Sequence, residues 1–181
     1  MKKSLLAFVF SLGCLLAAGQ EGEPTNALHS TEPAETFKHF RASLLIGHTY
    51  VPTGEEPKHL FVPSWGLDLE YWFNRRWGLG LHNDLELQTF IVEKQEGEQL
   101  EREYPLVTTL DVLVKPFKDL VLLIGPGYEF EKKENFALLR AGIEYEFEFG
   151  KDWDISPTIF YDTRFDAFDT WSFAVGIGKR F

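Results

Sequence analysis

Residues 171–181 read Trp-Ser-Phe-Ala-Val-Gly-Ile-Gly-Lys-Arg-Phe, and their alternation decides the fold class. The odd positions carry Trp171, Phe173, Val175, Ile177, Lys179 and Phe181; the even ones carry Ser172, Ala174, Gly176, Gly178 and Arg180. One set is bulky and mostly apolar, the other small or polar. A helix would scatter the two sets around its axis. Only a period of two keeps them apart, so the segment is a strand whose faces meet two different surroundings.

The same rule works backwards through the chain. Trp153, Ile155, Pro157, Ile159 and Tyr161 alternate with Asp154, Ser156, Thr158, Phe160 and Asp162. Leu139 to Phe149 sets aromatic and aliphatic odd positions against Arg140, Gly142, Glu144, Glu146 and Glu148. Further segments run over 120–130, with Gly125, Gly127 and Glu129 on the polar side, and over 106–115, with Asp111 and Lys115 there. The segment 77–88 presents Gly78, Gly80, His82, Asp84 and Glu86, and 65–73 presents Gly66, Asp68, Glu70 and Trp72. Arg41 to Val51 is the least regular, with Leu44, Ile46 and Tyr50 facing outward. That makes eight strands, and an all-β, antiparallel, up-and-down barrel is the expectation.

Connections alternate in length. Asn74-Arg75-Arg76, Phe117-Lys118-Asp119 and Phe149-Gly150-Lys151-Asp152 read as tight turns. The other links fall near 52–64, 92–103, 131–135 and 163–170. Phe73, Trp77, Phe117, Phe149, Trp153 and Phe181 gather at the short-turn ends, while Tyr50, Phe61, Phe90, Tyr104, Phe130, Phe136, Phe165, Phe168 and Trp171 gather at the long-loop ends. Two aromatic belts around an apolar band suit a barrel that crosses a bilayer.

The start of the chain agrees with export. Lys2 and Lys3 precede the apolar run Leu5 to Leu16, and the small residues Ala17 and Gly19 place a cleavage site before Gln20. Residues 1–19 are read as a signal peptide, 20–39 as a flexible periplasmic segment with Pro24 and Pro33, and 40–181 as the barrel. Lipidation at Cys14 is the competing reading, opposed by Ser11 where an apolar residue is usual. Removing the leader also removes the single cysteine, which excludes disulfides and thiolate chemistry in what remains. All 28 acidic residues stay, while the 18 basic ones lose Lys2 and Lys3, so the formal charge becomes −12. That balance argues against a nucleic-acid partner. No run of eighteen apolar residues occurs, and the other way to cross a bilayer is a closed barrel that satisfies every backbone group.

The stretch Trp171 to Phe181 resembles the carboxy-terminal insertion signal of outer-membrane barrels. Trp171, Phe173, Val175, Gly176, Ile177 and Phe181 carry the likeness, and Lys179 departs from it where an aromatic residue is usual. The region from residue 40 resembles the small eight-stranded bacterial outer-membrane barrels, of the outer-membrane protein A transmembrane-domain and porin-family type. The resemblance implies a Gram-negative outer membrane, periplasmic termini, surrounding lipid and lipopolysaccharide, and contact with the barrel-assembly machinery through the last strand. It implies no catalytic residue.

Eight strands enclose just enough room for side chains. The inward face is then acidic, with Asp68, Glu70, Asp84, Glu86, Asp111, Glu129, Glu144, Glu146, Asp154 and Asp162 set against His82, Lys115, Arg140 and Arg164. Burying such charges requires pairing or hydration, so Arg140 and Lys115 are expected to bridge several carboxylates each. Trp72, Leu113, Leu123 and Phe160 point inward too and oppose a wide pore. The leading expectation is a monomeric structural or interaction protein without cofactor or metal. The alternative is a narrow path for cations or small solutes. A lipid-modifying enzyme using the His82–Asp84 pair or His48, a metal site at His48 and His59, and a soluble ligand-binding barrel with its faces reversed are the further alternatives.

Overall fold

The computed structural model describes residues 37–53, 59–93, 99–165 and 167–181. The signal peptide, most of the 20–39 segment, and parts of the long links at 54–58, 94–98 and 166 lie outside these residues.

Among the described residues eleven strands form: β1 (Phe40–Pro52), β2 (His59–Trp72), β3 (Trp77–Glu86), β4 (Thr89–Glu93), β5 (Gln99–Glu103), β6 (Leu106–Val114), β7 (Leu120–Phe130), β8 (Phe136–Tyr145), β9 (Phe147–Phe149), β10 (Trp153–Arg164) and β11 (Asp169–Arg180). β8 and β9 are one wall, pairing with β10 in a single register on either side of Glu146. Eight antiparallel walls therefore follow one another, and the last pairs with the first from Arg41 opposite Arg180 to Tyr50 opposite Trp171. Closure leaves the main sheet without an edge, so every wall finds two hydrogen-bonding neighbours.

Alternation sets the faces as the residue pattern requires. Leu44, Ile46, Trp65, Leu110, Ile124, Ile143, Phe173, Val175 and Ile177 are exposed on the outer surface, while Asp68, His82, Asp111, Arg140 and Asp154 are buried inside. Asn74 organises the first tight turn: its Oδ1 accepts the backbone N–H of Arg76 at 2.8 Å and of Trp77 at 3.0 Å. Gly150 takes φ +57° in the last tight turn, a left-handed conformation that costs other residues more. Opposite Leu110, Pro126 brings no N–H, and the ladder between β6 and β7 skips that position.

The long-loop end corrects the expected loop boundaries. β2 already starts at His59, and β10 and β11 reach Arg164 and Asp169. The stretch expected as a loop over 92–103 holds most of a hairpin, in which β4 and β5 pair outside the barrel sheet. The reason is an apolar core at that end. Val51, Val62, Phe90, Val92, Phe136, Ala167 and Phe168 pack together there, backed by Leu60 and Leu100. Glutamates on the outer side of these strands make the stretches look like solvated loops, while every second residue is buried.

Candidate functional site: the charged barrel interior

The side chains that point inward form three connected groups. Nearest the short turns, Arg41 enters from the first residues of β1 and is buried. Its Nε and Nη2 donate to the two oxygens of Asp154 at 3.0 and 2.6 Å, Nη2 also lies 2.7 Å from Glu144 and 3.1 Å from Ser156, and Nη1 donates to Glu70. Glu70 accepts a second bond, 2.7 Å, from the indole N–H of Trp72. Glu146 is shared by Lys115 and by Arg180, the latter at 2.5 Å. The Lys115 ammonium lies 4.5 Å from the centre of the Trp72 ring, so one aromatic wall serves both cation and carboxylate.

In the middle, Ser43, Asp68 and His82 stand side by side on β1, β2 and β3. His82 Nδ1 lies 2.8 Å from Asp111 Oδ2, which also accepts the Thr109 hydroxyl at 2.6 Å. Both Asp68 oxygens, the Ser43 hydroxyl and one Asp111 oxygen are buried without a hydrogen-bond partner in the protein. Such atoms call for water.

Nearer the long loops, Arg140 clamps Asp162 through Nε and Nη2 at 2.7 and 2.8 Å and reaches Asp84 through Nη1 at 2.5 Å. Its guanidinium lies 4.5 Å from the Phe160 ring centre. Glu129 accepts from both Arg164 and Arg102. Arg164 also donates to Thr170 at 2.9 Å, and Arg102 to the Glu134 carbonyl at 2.6 Å. These two guanidinium groups lie over Phe168 and Phe136, at 4.5 and 5.0 Å, which ties the charges to the apolar cap. Just outside the strands, burial works against the charge of Glu131. The backbone N–H of Lys133, at 2.8 Å, and the Arg102 guanidinium outweigh it and hold the carboxyl below the usual glutamate range.

Every residue expected in the interior network points inside: Asp68, Glu70, His82, Asp84, Glu86, Asp111, Lys115, Glu129, Arg140, Glu144, Glu146, Asp154, Asp162 and Arg164. Arg140 bridges two carboxylates, Asp84 and Asp162. Lys115 pairs with Glu146 alone, and the bridging role expected of it falls to Arg41. Arg41, Arg102 and Arg180 are the interior cations that the sequence reading leaves out. Arg41 shares the parity of Ser43 and Leu45, and Arg180 that of Gly178, so the signal was present in the alternation; Arg102 lay in a stretch read as loop.

The alternative of a His82–Asp84 pair does not assemble, since His82 turns to Asp111 and Asp84 to Arg140. His48 and His59 do not meet either. They are opposite Pro63 and Pro52 in the β1–β2 ladder, four positions or about 13 Å apart. Among the described residues no group of three or more His, Cys, Asp or Glu side chains is arranged to hold a metal ion. A second apolar cluster, Leu45, Trp72, Leu113, Val121, Leu123 and Phe160, fills space between the charge groups.

The closed eight-wall meander, apolar outside and charged inside, is the fold of the small outer-membrane β-barrels. Solved structures agree. OprG of Pseudomonas aeruginosa superposes with a TM-score of 0.59 at 12% identity, covering 80% of this chain and 97% of that one. Ail, the attachment invasion locus protein of Yersinia pestis, gives 0.56 at 16% identity over 80% of this chain and all of its own. Neisserial surface protein A gives 0.53 at 8% identity, covering 78% and 97% of the two chains. At such identities the likeness is one of fold. No protein-family model matches the sequence, and no curated protein does.

Proposed function

We propose that this chain is a Gram-negative outer-membrane barrel with a structural or interaction role, exported by its signal peptide and inserted as a monomer with both termini in the periplasm. The observation that carries this reading is the occupied interior. Arg41 and Arg140 each bridge carboxylates on different walls, and Trp72, Leu113 and Phe160 fill the space beside them. At the long-loop end the Val51–Val62–Phe136–Phe168 cap lies above them. The lumen is net acidic and filled by its own side chains. An enzymatic role is disfavoured, because neither candidate histidine site comes together.

The partners on this reading are membrane lipid, lipopolysaccharide at the long-loop end, and the assembly machinery that receives β11 through Trp171, Phe173, Val175, Ile177 and Phe181. Outer-membrane fractionation with heat-modifiable gel migration tests the location, and recovery of a soluble periplasmic protein overturns it. Planar-bilayer recording tests the closed lumen. The second reading, a narrow cation path, is favoured by the unpartnered Asp68, Asp111 and Ser43 oxygens; reproducible cation-selective steps from folded protein would decide for it.

A further inference from the structure

Among the described residues the two ends of the barrel carry opposite exposed charge. At the long-loop end the charges include the exposed Glu93, Glu101 and Asp169 and the half-exposed Glu103, and among the described residues the lysines there, Lys132 and Lys133, are already paired with Glu103 and Glu101. At the short-turn end Lys38 is held by Asp152 at 2.5 Å and Lys118 by Glu148 at 3.3 Å. Lys151, Lys179, Arg75 and Arg76 remain without a carboxylate partner among the described residues. They follow one another around the rim: the β9–β10 turn, β11, and, past β1, the β2–β3 turn.

Lys179 is the unusual member. It sits on the outer, lipid-facing side of β11, in register with Ala42 on one side and Trp153 on the other. Its ammonium lies 5.0 Å from the Trp153 ring centre and 5.3 Å from that of Phe181. Ala42, in register beside it, carries only a methyl group. A lysine facing lipid is costly at the bilayer midplane and tolerated near an interface, where it reaches toward the headgroups. Rings beside a cation are suited to hold glycerol and acyl atoms while the cation meets a phosphate. Arg75 and Arg76 stand out from a turn that Asn74 holds rigid, beside the exposed rings of Phe73 and Trp77.

We propose that this arc of the short-turn rim is a docking surface for anionic glycerophospholipid headgroups, with Lys179 beside the Trp153 and Phe181 rings and Arg75 and Arg76 as phosphate-binding groups. The proposal rests on the outer-membrane reading above, which puts the short turns in the phospholipid leaflet. The opposed charge of the two ends selects an anionic headgroup for this end over a zwitterionic one.

The test is native mass spectrometry of the full folded chain released from nanodiscs of phosphatidylethanolamine and phosphatidylglycerol, counting each lipid retained. Phosphatidylglycerol should be retained in excess. Lys179→Gln, and separately the double change Arg75→Gln with Arg76→Gln, should each reduce that excess by about fivefold per cation removed, while Lys132→Gln leaves it unchanged. Equal retention of the two lipids, or an excess indifferent to these changes, overturns the proposal, as does stronger competition by lipid A for the same cations. Heat-modifiable migration of the same samples confirms that each variant is folded. A barrel that inserts without lipid preference defeats this proposal alone; one that fails to insert defeats the membrane reading with it.

Discussion

Arg41 and Asp154 pair across β11, 113 positions apart in the chain, and they do so over Gly178. A Cβ at Gly178 would fall 2.7 Å from the Arg41 Nε and 2.6 Å from an Asp154 oxygen. The absence of a side chain on the last strand is therefore what lets the first and the seventh walls share a buried ion pair, and it ties the closing seam of the barrel to its interior charge.

Changing Gly178 should loosen that seam. Gly178→Ala is expected to cost about 1–3 kcal/mol through overpacking, and Gly178→Leu more, read as a lower urea midpoint for unfolding from vesicles. An unchanged midpoint for both would mean that the pair shifts aside freely.

Removing the cation should cost more than crowding it. Arg41→Met leaves Glu70, Glu144 and Asp154 buried together without their shared counter-charge, an expected loss of about 3–5 kcal/mol. Adding Asp154→Asn should recover part of it, with a coupling of about 0.5–3 kcal/mol in the double-mutant cycle. Strict additivity would deny the two residues a direct interaction.

The occupied interior makes a prediction about conductance. Trp72→Ala and Phe160→Ala each remove a fully buried ring and should each cost about 3–5 kcal/mol. The double variant, where it still folds, should show discrete ion steps in planar bilayers that the parent chain lacks.

The outer face can be tested by depth. Leu110 lies at the middle of β6 and is exposed on the outer surface, so Leu110→Arg should destabilise the membrane-inserted barrel by about 2–4 kcal/mol. Phe130→Arg, at the end of β7, should cost only about 0–1 kcal/mol. A soluble barrel with its apolar outer face exposed to water would show no such gradient.

Glu131 gives a small pH effect with a definite sign. Its folded carboxyl titrates below the usual range, so its contribution is complete above the unfolded value of about 4.3 and is lost as the pH falls through the lower folded value. Glu131→Gln should flatten the acid side of the stability profile, followed by unfolding at stepped pH.

The walls were legible because a strand has one unambiguous signal. From Trp65 to Phe181, parity alone separates the exposed Leu67, Leu110, Ile143 and Val175 from the buried Asp68, Asp111, Glu144 and Ser172. The three tight turns also announced themselves, through Asn74, the Phe117–Asp119 stretch and Gly150. The long-loop end was harder to read. Glu93, Glu101 and Glu103 mark solvent contact on one face of β4 and β5, and that local polarity hides the burial of Phe90, Val92 and Arg102 on the other.

The sequence by itself determined the number of barrel walls and which side chains share a face, one charged and one apolar, since each of these follows from a two-residue period within one strand. Which inward charges meet was decided only by the tertiary structure. Parity assigns a residue to a face and says nothing about its height or its neighbours across the lumen. Those depend on how far each tilted strand is shifted against the next as the barrel closes. That shift brings Arg41 to Glu70, Glu144 and Asp154, turns His82 to Asp111 and away from Asp84, and leaves Lys179 between Trp153 and Phe181 on the outer rim.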